Sequence, residues 1–301
     1  MARKKKVEEG ENTVKILPKE EVRKPEAEVQ KGEDFVLTDD NYYTKAANER
    51  YMSFHNYMDF VSSNKVYGCE AKAMAILRGE YEEPITDAIL VGAYVDHYFE
   101  GTLDKFKEEH PEIFTQKGEL YAKYKLADKM IARCESDPQF MKFMSGEKQT
   151  IMTANMFGCD WKIKMDSYIP GVAIVDLKTT ASMHKTFYAP DVGPMNFVDA
   201  FNYPTQLAIY QRVVYINTGK ELPCYICAVS KDAEPDIEIL YIDQTTLDDA
   251  LAKVEANMPH ILAVKNGEVD PIRCGLPECI YCRKTKVLKG PILYTDLIGG
   301  E

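Results

Sequence analysis

The feature that most restricts the fold of this chain is a change of hydrophobic period near the middle of its sequence. Residues 149–180, QTIMTANMFGCDWKIKMDSYIPGVAIVDLKTT, contain short runs rich in Ile, Val and Met that are interrupted by Pro170-Gly171. This pattern is typical of strands joined by turns in a β-meander, and PCYICAVSK and DIEILYID predict two further strands. Apolar residues recur at helical spacing on both sides of this region. The sequence therefore predicts an α/β domain, in which helices flank a cluster of strands.

Six helices are predicted from apolar spacing and from their start and stop signals. Ser53 is a suitable N-cap for the helix FHNYMDFV, and Gly219 and Gly267 are suitable stop residues for two later helices. Within the third helix, Asp96 and Glu100 share one face because they are four residues apart. In chain order the predicted helices cover 54–61, about 69–77, 85–106, 120–136, 198–219 and 245–267.

Composition limits the domain organisation and the class of protein. A chain of 301 residues with 45% hydrophobic residues can bury a sizeable core. Residues 1–35 are rich in Lys, Glu and Pro, which predicts a disordered charged arm followed by one domain over 36–301. No run approaches the roughly 18 apolar residues of a membrane span, so we expect a soluble cytoplasmic protein without membrane contact. The net charge of −11 argues against a broadly basic surface but allows a local basic groove.

Two aspartates and a lysine form the densest chemical pattern. In the run VAIVDLKTT, Asp176 and Lys178 are two residues apart and point to the same side of a strand, and the turn at Pro170-Gly171 folds Asp166 back toward them. Converging carboxylates are kept ionised by a hard cation such as Mg²⁺ or Mn²⁺. A solvated strand edge is the alternative, but charges at the end of a strongly apolar strand favour a functional site. We therefore expect metal-assisted phosphodiester hydrolysis, with Lys178 positioning or activating a water.

At these residues the sequence resembles the PD-(D/E)XK nuclease superfamily, in its RecE-like and RecB-like branch, from about residue 36 onward. It is most similar to phage-encoded proteins described as exodeoxyribonuclease VIII with a PDDEXK-like domain. The resemblance implies a restriction-endonuclease-like core, in which a central mixed β-sheet is flanked by helices and the N-terminal portion is helical. It also implies metal ligands at Asp166 and Asp176, with the Leu177 carbonyl nearby, and a catalytic lysine at Lys178.

Three more positions match motifs of this branch. His97 in GAYVDHYFEG falls where the branch carries a helical histidine, and the resemblance implies a metal ligand or a contact to the scissile phosphate. A satisfied core histidine is the alternative. Gln206 and Tyr210 in YPTQLAIYQ match the Q-x-x-x-Y motif, and they lie one helical turn apart, so both can reach the active-site lysine or the DNA backbone. For an isolated motif of this kind, ordinary helix packing would be the better interpretation.

The cysteines near the end of the sequence indicate a second metal site. Cys274, Cys279 and Cys282 have C-x4-C-x2-C spacing, and thiolates this close usually share a metal. The start of the helix at Cys69 resembles the first ligand of iron-sulfur nucleases in the same superfamily, which implies Cys69 as the fourth ligand. A [4Fe-4S] cluster is the favoured hypothesis; a structural Zn²⁺ is the main alternative and unpaired structural cysteines are a third. The remaining cysteines, Cys134, Cys159, Cys224 and Cys227, are expected to be structural.

The resemblance implies a Mg²⁺-dependent exodeoxyribonuclease that resects duplex DNA ends for phage-type recombination in a bacterial cytoplasm. RecE-like enzymes work with a single-strand annealing protein of the RecT type and form rings, so this partner and a homo-oligomer are expected. An endonuclease or nickase of the same fold is one alternative, because such a centre can cut either way. A non-catalytic DNA-binding module is another; it predicts an incomplete catalytic set, whereas every motif residue is present.

Overall fold

The computed structural model describes residues 35–61, 68–189, 192–288 and 290–297. The predicted charged arm, 1–35, lies outside these ranges except for Phe35. The helices are α1 (Lys45–Arg50), α2 (Phe54–Phe60), α3 (Glu70–Arg78), α4 (Asp87–Glu100), α5 (Leu103–Glu109), α6 (Leu126–Glu135), α7 (Pro138–Phe143), α8 (Phe197–Ala200), α9 (Tyr203–Thr218), α10 (Gln244–Lys265) and α11 (Ile280–Lys284). The strands are β1 (Thr150–Met156), β2 (Cys159–Met165), β3 (Ser167–Ile169), β4 (Ala173–Thr180), β5 (Phe187–Ala189), β6 (Gly193–Met195), β7 (Cys224–Ser230) and β8 (Ile237–Ile242).

The central sheet is mixed and has the strand order β3-β4-β7-β8. Strand β4 pairs in parallel with β7, while β3 and β8 run antiparallel to their neighbours. The parallel pair is joined through helix α9, as a parallel crossover requires. Strands β1 and β2 form a separate hairpin, and so do β5 and β6. The predicted α/β class, with a central mixed sheet, flanking helices and a helical N-terminal portion, is confirmed.

The two faces of β4 belong to two different apolar clusters. Ala173, Val175 and Leu177 pack with helices α4, α6 and α7, whereas Ile174 packs on the opposite face with α2, α3, α9 and α10. This alternation is the period of two that a strand imposes on its side chains. Fully burying one such aliphatic side chain stabilises a fold by about 1.5–3 kcal/mol. Asp176 and Lys178 have the parity of Ile174, so both side chains emerge on the α9 side of the sheet.

Local signals begin and end several helices: Ser53 and Gly219 act as predicted, and Asp243 is a further N-cap. Ser53 Oγ accepts a hydrogen bond of 3.3 Å from Asn56 N at the start of α2. Asp243 Oδ1 accepts one of 3.0 Å from Thr246 N at the start of α10. Gly219 has a φ of 69°, which places the residue after α9 in the left-handed region.

Three predicted helices and the predicted β-meander differ from the structure. The helix predicted over 85–106 is divided into α4 and α5, because Gly101 adopts a φ of 79° and ends α4. The helix predicted over 198–219 is divided at Asn202, whose φ of 57° separates α8 from α9. The helix predicted over 120–136 begins only at Leu126, after a short 3-10 turn. The predicted β-meander is also divided, because the chain leaves the β1-β2 hairpin at Asp166 before β3 pairs with β4.

Across the described ranges, no helix combines the length and the apolar character that crossing a membrane would require.

Candidate active site

Strand β4 brings an aspartate and a lysine into direct contact. The Asp176 side chain is buried, with 2% of its surface exposed, and Lys178 Nζ lies 2.5 Å from Asp176 Oδ2. The Lys178 side chain is 18% exposed, so its ammonium group lies where the buried strand meets the surface. The expectation that these two side chains point to one side of the strand agrees with this contact.

Asp166 reaches the same strand from the chain between β2 and β3. Its Oδ2 accepts a hydrogen bond of 2.7 Å from the Leu177 backbone N–H. The register of the β3-β4 hairpin, in which Ser167 lies opposite Val175, sets this approach. The turn at Pro170-Gly171 closes the hairpin, and Gly171 has a φ of 72°, a conformation that favours glycine. The turn thus folds Asp166 back onto the Asp176-Leu177-Lys178 segment.

Helix α9 supplies the third part of the cluster. Gln206 Nε2 donates hydrogen bonds to Asp176 Oδ1 at 2.8 Å and to Tyr210 OH at 3.0 Å. The amide therefore reaches the carboxylate, whereas either the lysine or the DNA backbone was expected. Tyr203, on the first turn of α9, places its ring centroid 4.9 Å from Lys178 Nζ. Gln206 and Tyr210 are both buried, so α9 acts here as a support for Asp176 and Lys178.

The structure directs His97 and its neighbour Asp96 to different surroundings. His97 Nδ1 lies 2.7 Å from Thr102 Oγ1 and 3.6 Å from Glu100 Oε2. Within the described ranges, no hydrogen bond joins His97 to Asp166, Asp176 or Lys178. Asp96 instead lines a narrow cleft between α4 and β4, together with Asp166 and Leu177. A metal-ligand role for His97 stays a prediction, and the geometry favours Asp96 for that position.

Burial and mutual repulsion set the electrostatics of these groups. Burial raises the pKa of Asp176 to about 7, although Lys178 acts in the opposite direction. Burial also raises the pKa of Asp96 well above its ordinary range, and Asp166 raises it further. For Lys178, burial acts to lower the pKa, but Asp176 and Asp166 outweigh burial and raise it. Lys178 therefore stays protonated at neutral pH.

The carboxylates fit a hard divalent cation. Three aspartates lie near a single lysine, and Asp96 Oδ1 is buried without a hydrogen-bond partner among the described residues. A buried oxygen in this state is costly unless a cation or water satisfies it. Oxygen-rich sites of this kind suit Mg²⁺ or Mn²⁺, and Asp96, Asp166 and Asp176 are the groups that could hold one.

The four cysteines predicted to act together do lie together. The sulfur atoms of Cys69, Cys274, Cys279 and Cys282 are all within 4.8 Å of one another. Cys282 Sγ is 3.6 Å from Cys69 Sγ and 3.7 Å from Cys274 Sγ. Backbone hydrogen bonds support the same junction, since Ala71 N donates to Ile272 O at 3.1 Å. Cys134, Cys224 and Cys227 are buried elsewhere, as expected of structural cysteines.

Two residues of the cluster were not predicted from the sequence. The sequence places Asp96 only on a helix face shared with Glu100, and its position four residues after Gly92 on that face is the signal that could identify it. It places Tyr203 only within the helix that carries the Q-x-x-x-Y motif. Its place one turn before Gln206 puts it near Lys178, a relation that requires the packing of α9 against β4.

Comparisons with known proteins identify what this chain is similar to. Residues 53–285 match the profile of a PDDEXK-like domain of unknown function (DUF3799). The crystal structure of a presumed exonuclease from Eubacterium rectale is 52% identical, covers 89% of this chain and 100% of that chain, and gives a TM-score of 0.85. The crystal structure of SSO0001 is 14% identical over 64% of this chain and 84% of that chain, with a TM-score of only 0.27. No curated protein matches the sequence.

Proposed function

The chain belongs to the family of PDDEXK-like domains, and from this membership we propose that it is a metal-dependent exonuclease acting on DNA. Its restriction-endonuclease-like fold and its place in the PD-(D/E)XK superfamily confirm what the motifs predicted. A nuclease activity is supported by the family and by the similarity to the presumed exonuclease from Eubacterium rectale.

The observation that carries the proposal is the connected set of side chains around β4. Asp166 is held by the Leu177 N–H, and Asp176 is held by Gln206 on one oxygen and by Lys178 on the other. Each group is therefore oriented by a partner before any substrate arrives. Preorganised charges of this kind are the largest contribution to many catalysed hydrolyses.

The residues of the chain divide the catalytic work. A bound Mg²⁺ would supply a Lewis acid for the phosphate oxygen and would lower the pKa of its bound water. Asp96, Asp166 and Asp176 would hold it, with the Leu177 carbonyl nearby. The neighbouring aspartates raise the pKa of Lys178, so its ammonium group would donate hydrogen bonds to a water or a phosphate oxygen and offset developing charge. Gln206 fixes the Asp176 carboxylate, and Tyr210 fixes Gln206 through its hydroxyl.

The preference for DNA ends is tested with linear and closed circular forms of one plasmid and Mg²⁺. We expect the linear form to be digested and the closed circle to persist. Lys178→Met should abolish digestion, while Lys117→Met, which removes an exposed lysine outside the site, should retain it. Rapid cutting of the closed circle would instead support the endonuclease or nickase alternative. Binding of DNA without any Mg²⁺- or Mn²⁺-dependent cleavage would support a non-catalytic module.

The biological setting belongs to the same proposal. An exonuclease that resects duplex ends would serve phage-type homologous recombination in a bacterial cytoplasm, alongside a single-strand annealing protein of the RecT type. A homo-oligomer would allow the enzyme to enclose the duplex. Light scattering of the purified protein tests the oligomer, and a monomer at all concentrations would contradict it.

For the four-cysteine group we propose a single structural Zn²⁺. Four thiolates bound at about 2.3 Å around one tetrahedral ion place their sulfurs about 3.8 Å apart; Cys282 Sγ lies 3.6 and 3.7 Å from two of its partners, and all four sulfurs are within 4.8 Å of one another. In a [4Fe-4S] cluster each thiolate binds a different corner of a cube, so the sulfurs lie farther apart. The iron-sulfur hypothesis therefore fits this spacing less well. Elemental analysis and visible absorption of anaerobically purified protein should show one zinc per chain; stoichiometric iron and sulfide would contradict the proposal.

A further inference from the structure

Basic side chains are concentrated beside the four-cysteine group, although the chain as a whole is acidic. The segment 273–286 contains Arg273, Arg283, Lys284 and Lys286 against one acidic residue, Glu278. Arg273, Arg283 and Lys286 line a surface cavity of about 640 Å³. No carboxylate contributes to the described lining of this cavity, so the charged side chains on its wall are all cations. An anion would relieve their repulsion.

Contacts with three neighbouring residues hold the Arg273 side chain in place. Its Nη2 donates hydrogen bonds to Cys282 O at 3.0 Å and to Thr285 Oγ1 at 2.7 Å, and its guanidinium lies 5.5 Å from the centroid of the Tyr281 ring. A guanidinium has five N–H donors, so this arrangement leaves others for a ligand. Arg283 and Lys286 are exposed, and in the described ranges neither side chain has a hydrogen bond or an ion pair. The pocket thus combines one fixed cation with two adaptable ones.

An aromatic contact connects this pocket to a second cavity. Tyr281 packs edge-on against Tyr81 at 5.3 Å, and Tyr81 lines a second cavity of about 610 Å³ that also contains Tyr43 and His55. Tyr43 places its ring centroid 5.4 Å from Lys164 Nζ, two residues before Asp166 in the chain. The second cavity therefore lies beside the pocket through Tyr81 and reaches the end of β2 that leads into Asp166.

The second cavity itself offers little free positive charge. Lys72, which lines it, lies 2.7 Å from Glu83 Oε1 and 3.9 Å from Asp59 Oδ1, and Lys45 lies 3.7 Å from Glu49 Oε1. Its aromatic side chains can contact bases or sugars, while Arg283 and Lys286 line the pocket next to it. A small anion would occupy only the pocket, whereas a polyanion could contact both cavities.

We propose that the pocket of Arg273, Arg283 and Lys286 binds a backbone phosphate of the DNA strand whose scissile bond lies at the β4 active site. The inference rests on the proposed nuclease function. A contact of this kind carries no sequence information, but it fixes the register and orientation of the strand. Since Arg273 bonds to the Cys282 carbonyl, the pocket depends on closure of the four-cysteine group.

The proposal is tested by measuring binding of a fluorescein-labelled linear duplex at several salt concentrations, with Ca²⁺ replacing Mg²⁺ to prevent cleavage. The double variant Arg283→Glu/Lys286→Glu should bind about 10- to 100-fold more weakly and should reduce the magnitude of the slope of log K against log salt concentration by about 1, as the loss of one phosphate contact requires. Lys117→Glu, a single reversal at an exposed lysine, should change the affinity less than about twofold. The charge-retaining variant Arg283→Lys/Lys286→Arg should keep the wild-type slope.

The outcomes separate this inference from the function on which it rests. A charge-reversal variant with wild-type affinity and slope would overturn the pocket assignment while leaving the nuclease intact. Competition by millimolar inorganic phosphate, together with unchanged DNA binding in the variant, would mark a free-anion site and also overturn it. If the charge-reversal variant loses its zinc, the decision rests on the charge-retaining variant Arg283→Lys/Lys286→Arg. A weaker salt dependence of DNA binding in that variant would contradict a phosphate contact. Wild-type protein that neither binds nor cleaves DNA would overturn both proposals.

Discussion

Asp96 is the single residue whose placement changes the interpretation of the active site most. Its side chain enters the cleft with Asp166 and Leu177, while His97 turns toward Thr102. Consecutive residues of a helix point about 100° apart, so only one of the two can face β4. The position of α4 on the sheet directs the Asp96 carboxylate toward β4 and the His97 ring away from it.

Substitutions of Asp96 and His97 should reduce hydrolysis to very different extents. Asp96→Asn should lower Mg²⁺-dependent hydrolysis by about 100-fold or more and weaken the dependence on Mg²⁺, because a metal-ligand oxygen is lost. His97→Gln should lower hydrolysis less than about threefold. Single-turnover rates measured across a Mg²⁺ titration provide the check. A large loss in His97→Gln together with a small loss in Asp96→Asn would restore the histidine to the site.

Lys162 offers a prediction about pH that is independent of the active site. It is buried on β2, where its Nζ donates hydrogen bonds to Tyr42 O and Asn48 Oδ1, and burial lowers its pKa to about 8. Between that value and its ordinary pKa the unfolded chain binds more protons than the folded one. The free energy of unfolding should therefore rise with pH above about 8, by at most about 1.4 kcal/mol per pH unit.

Urea unfolding of wild-type protein and of Lys162→Met at a series of pH values tests this. The difference between the two proteins isolates the lysine, since the other titrating groups are common to both. We expect the gain in stability with alkaline pH to be absent from Lys162→Met. Parallel pH profiles would show that Lys162 is not desolvated in the folded protein.

At the residue scale, the sequence identifies the side chains of the site more reliably than it predicts which partner each of them contacts. Asp166, Asp176 and Lys178 could be placed together because a strand has a period of two and Pro170-Gly171 signals a turn. Gln206 could be placed near them, but its bond to Asp176 depends on how α9 rotates over the sheet. No local pattern encodes that rotation.

Helix α4 shows how an element positions a site. It crosses β4 closely at Gly92, where a Cβ atom would lie 2.8 Å from Thr179 Oγ1. Asp96 is one turn further along the same face, so the close approach at Gly92 sets the distance of Asp96 from the strand. Gly101 ends the helix in a left-handed conformation with open space around it.

Two glycine substitutions should separate packing from helix termination. Gly92→Val should destabilise the fold by about 1–3 kcal/mol through overpacking and should also reduce hydrolysis by displacing α4. Gly101→Ala should cost about 1 kcal/mol from strain at φ 79° and leave hydrolysis unchanged. Denaturant unfolding and DNA hydrolysis of both variants are compared. Full activity in Gly92→Val would mean that the α4-β4 distance does not matter to the site.

The breaks at Gly101 and Asn202 explain why element boundaries were harder to predict than element types. Both residues interrupt a continuous apolar period through a positive φ, which the period itself does not reveal. The order β3-β4-β7-β8 also could not be deduced, because the parallel pairing of β4 with β7 depends on long-range contacts across α9.

The whole molecule is closed by the four-cysteine group, which joins the start of α3 to the segment around α11. These regions are more than 200 residues apart in sequence, as Cys69 and Cys282 show by their separation of 213. A metal that binds only the folded chain stabilises it by mass action. The same junction also supports Arg273, so stability and DNA affinity should change together.

Removing the cysteine-bound metal should lower the melting temperature by roughly 5–10 °C, the equivalent of about 3 kcal/mol. Cys274→Ser should reproduce this loss and weaken DNA binding, whereas Cys134→Ser, at a buried cysteine outside the group, should keep the metal. The prediction is tested by measuring the melting temperature by calorimetry, together with the zinc content, before and after treatment with a chelator that competes with the thiolates. An unchanged melting temperature after complete metal loss would show that the hydrogen bonds of Ala71 and Ile272 suffice.

The position of these four ligands along the chain also sets an order of events during synthesis. Cys69 leaves the ribosome before any strand of the central sheet, and its three partners follow only after β8 and α10. A metal held by all four cysteines, as proposed, could therefore be bound in full only after the intervening core has been made. Until then the chain would lack the junction that supports Arg273, and the proposed phosphate contact could not form.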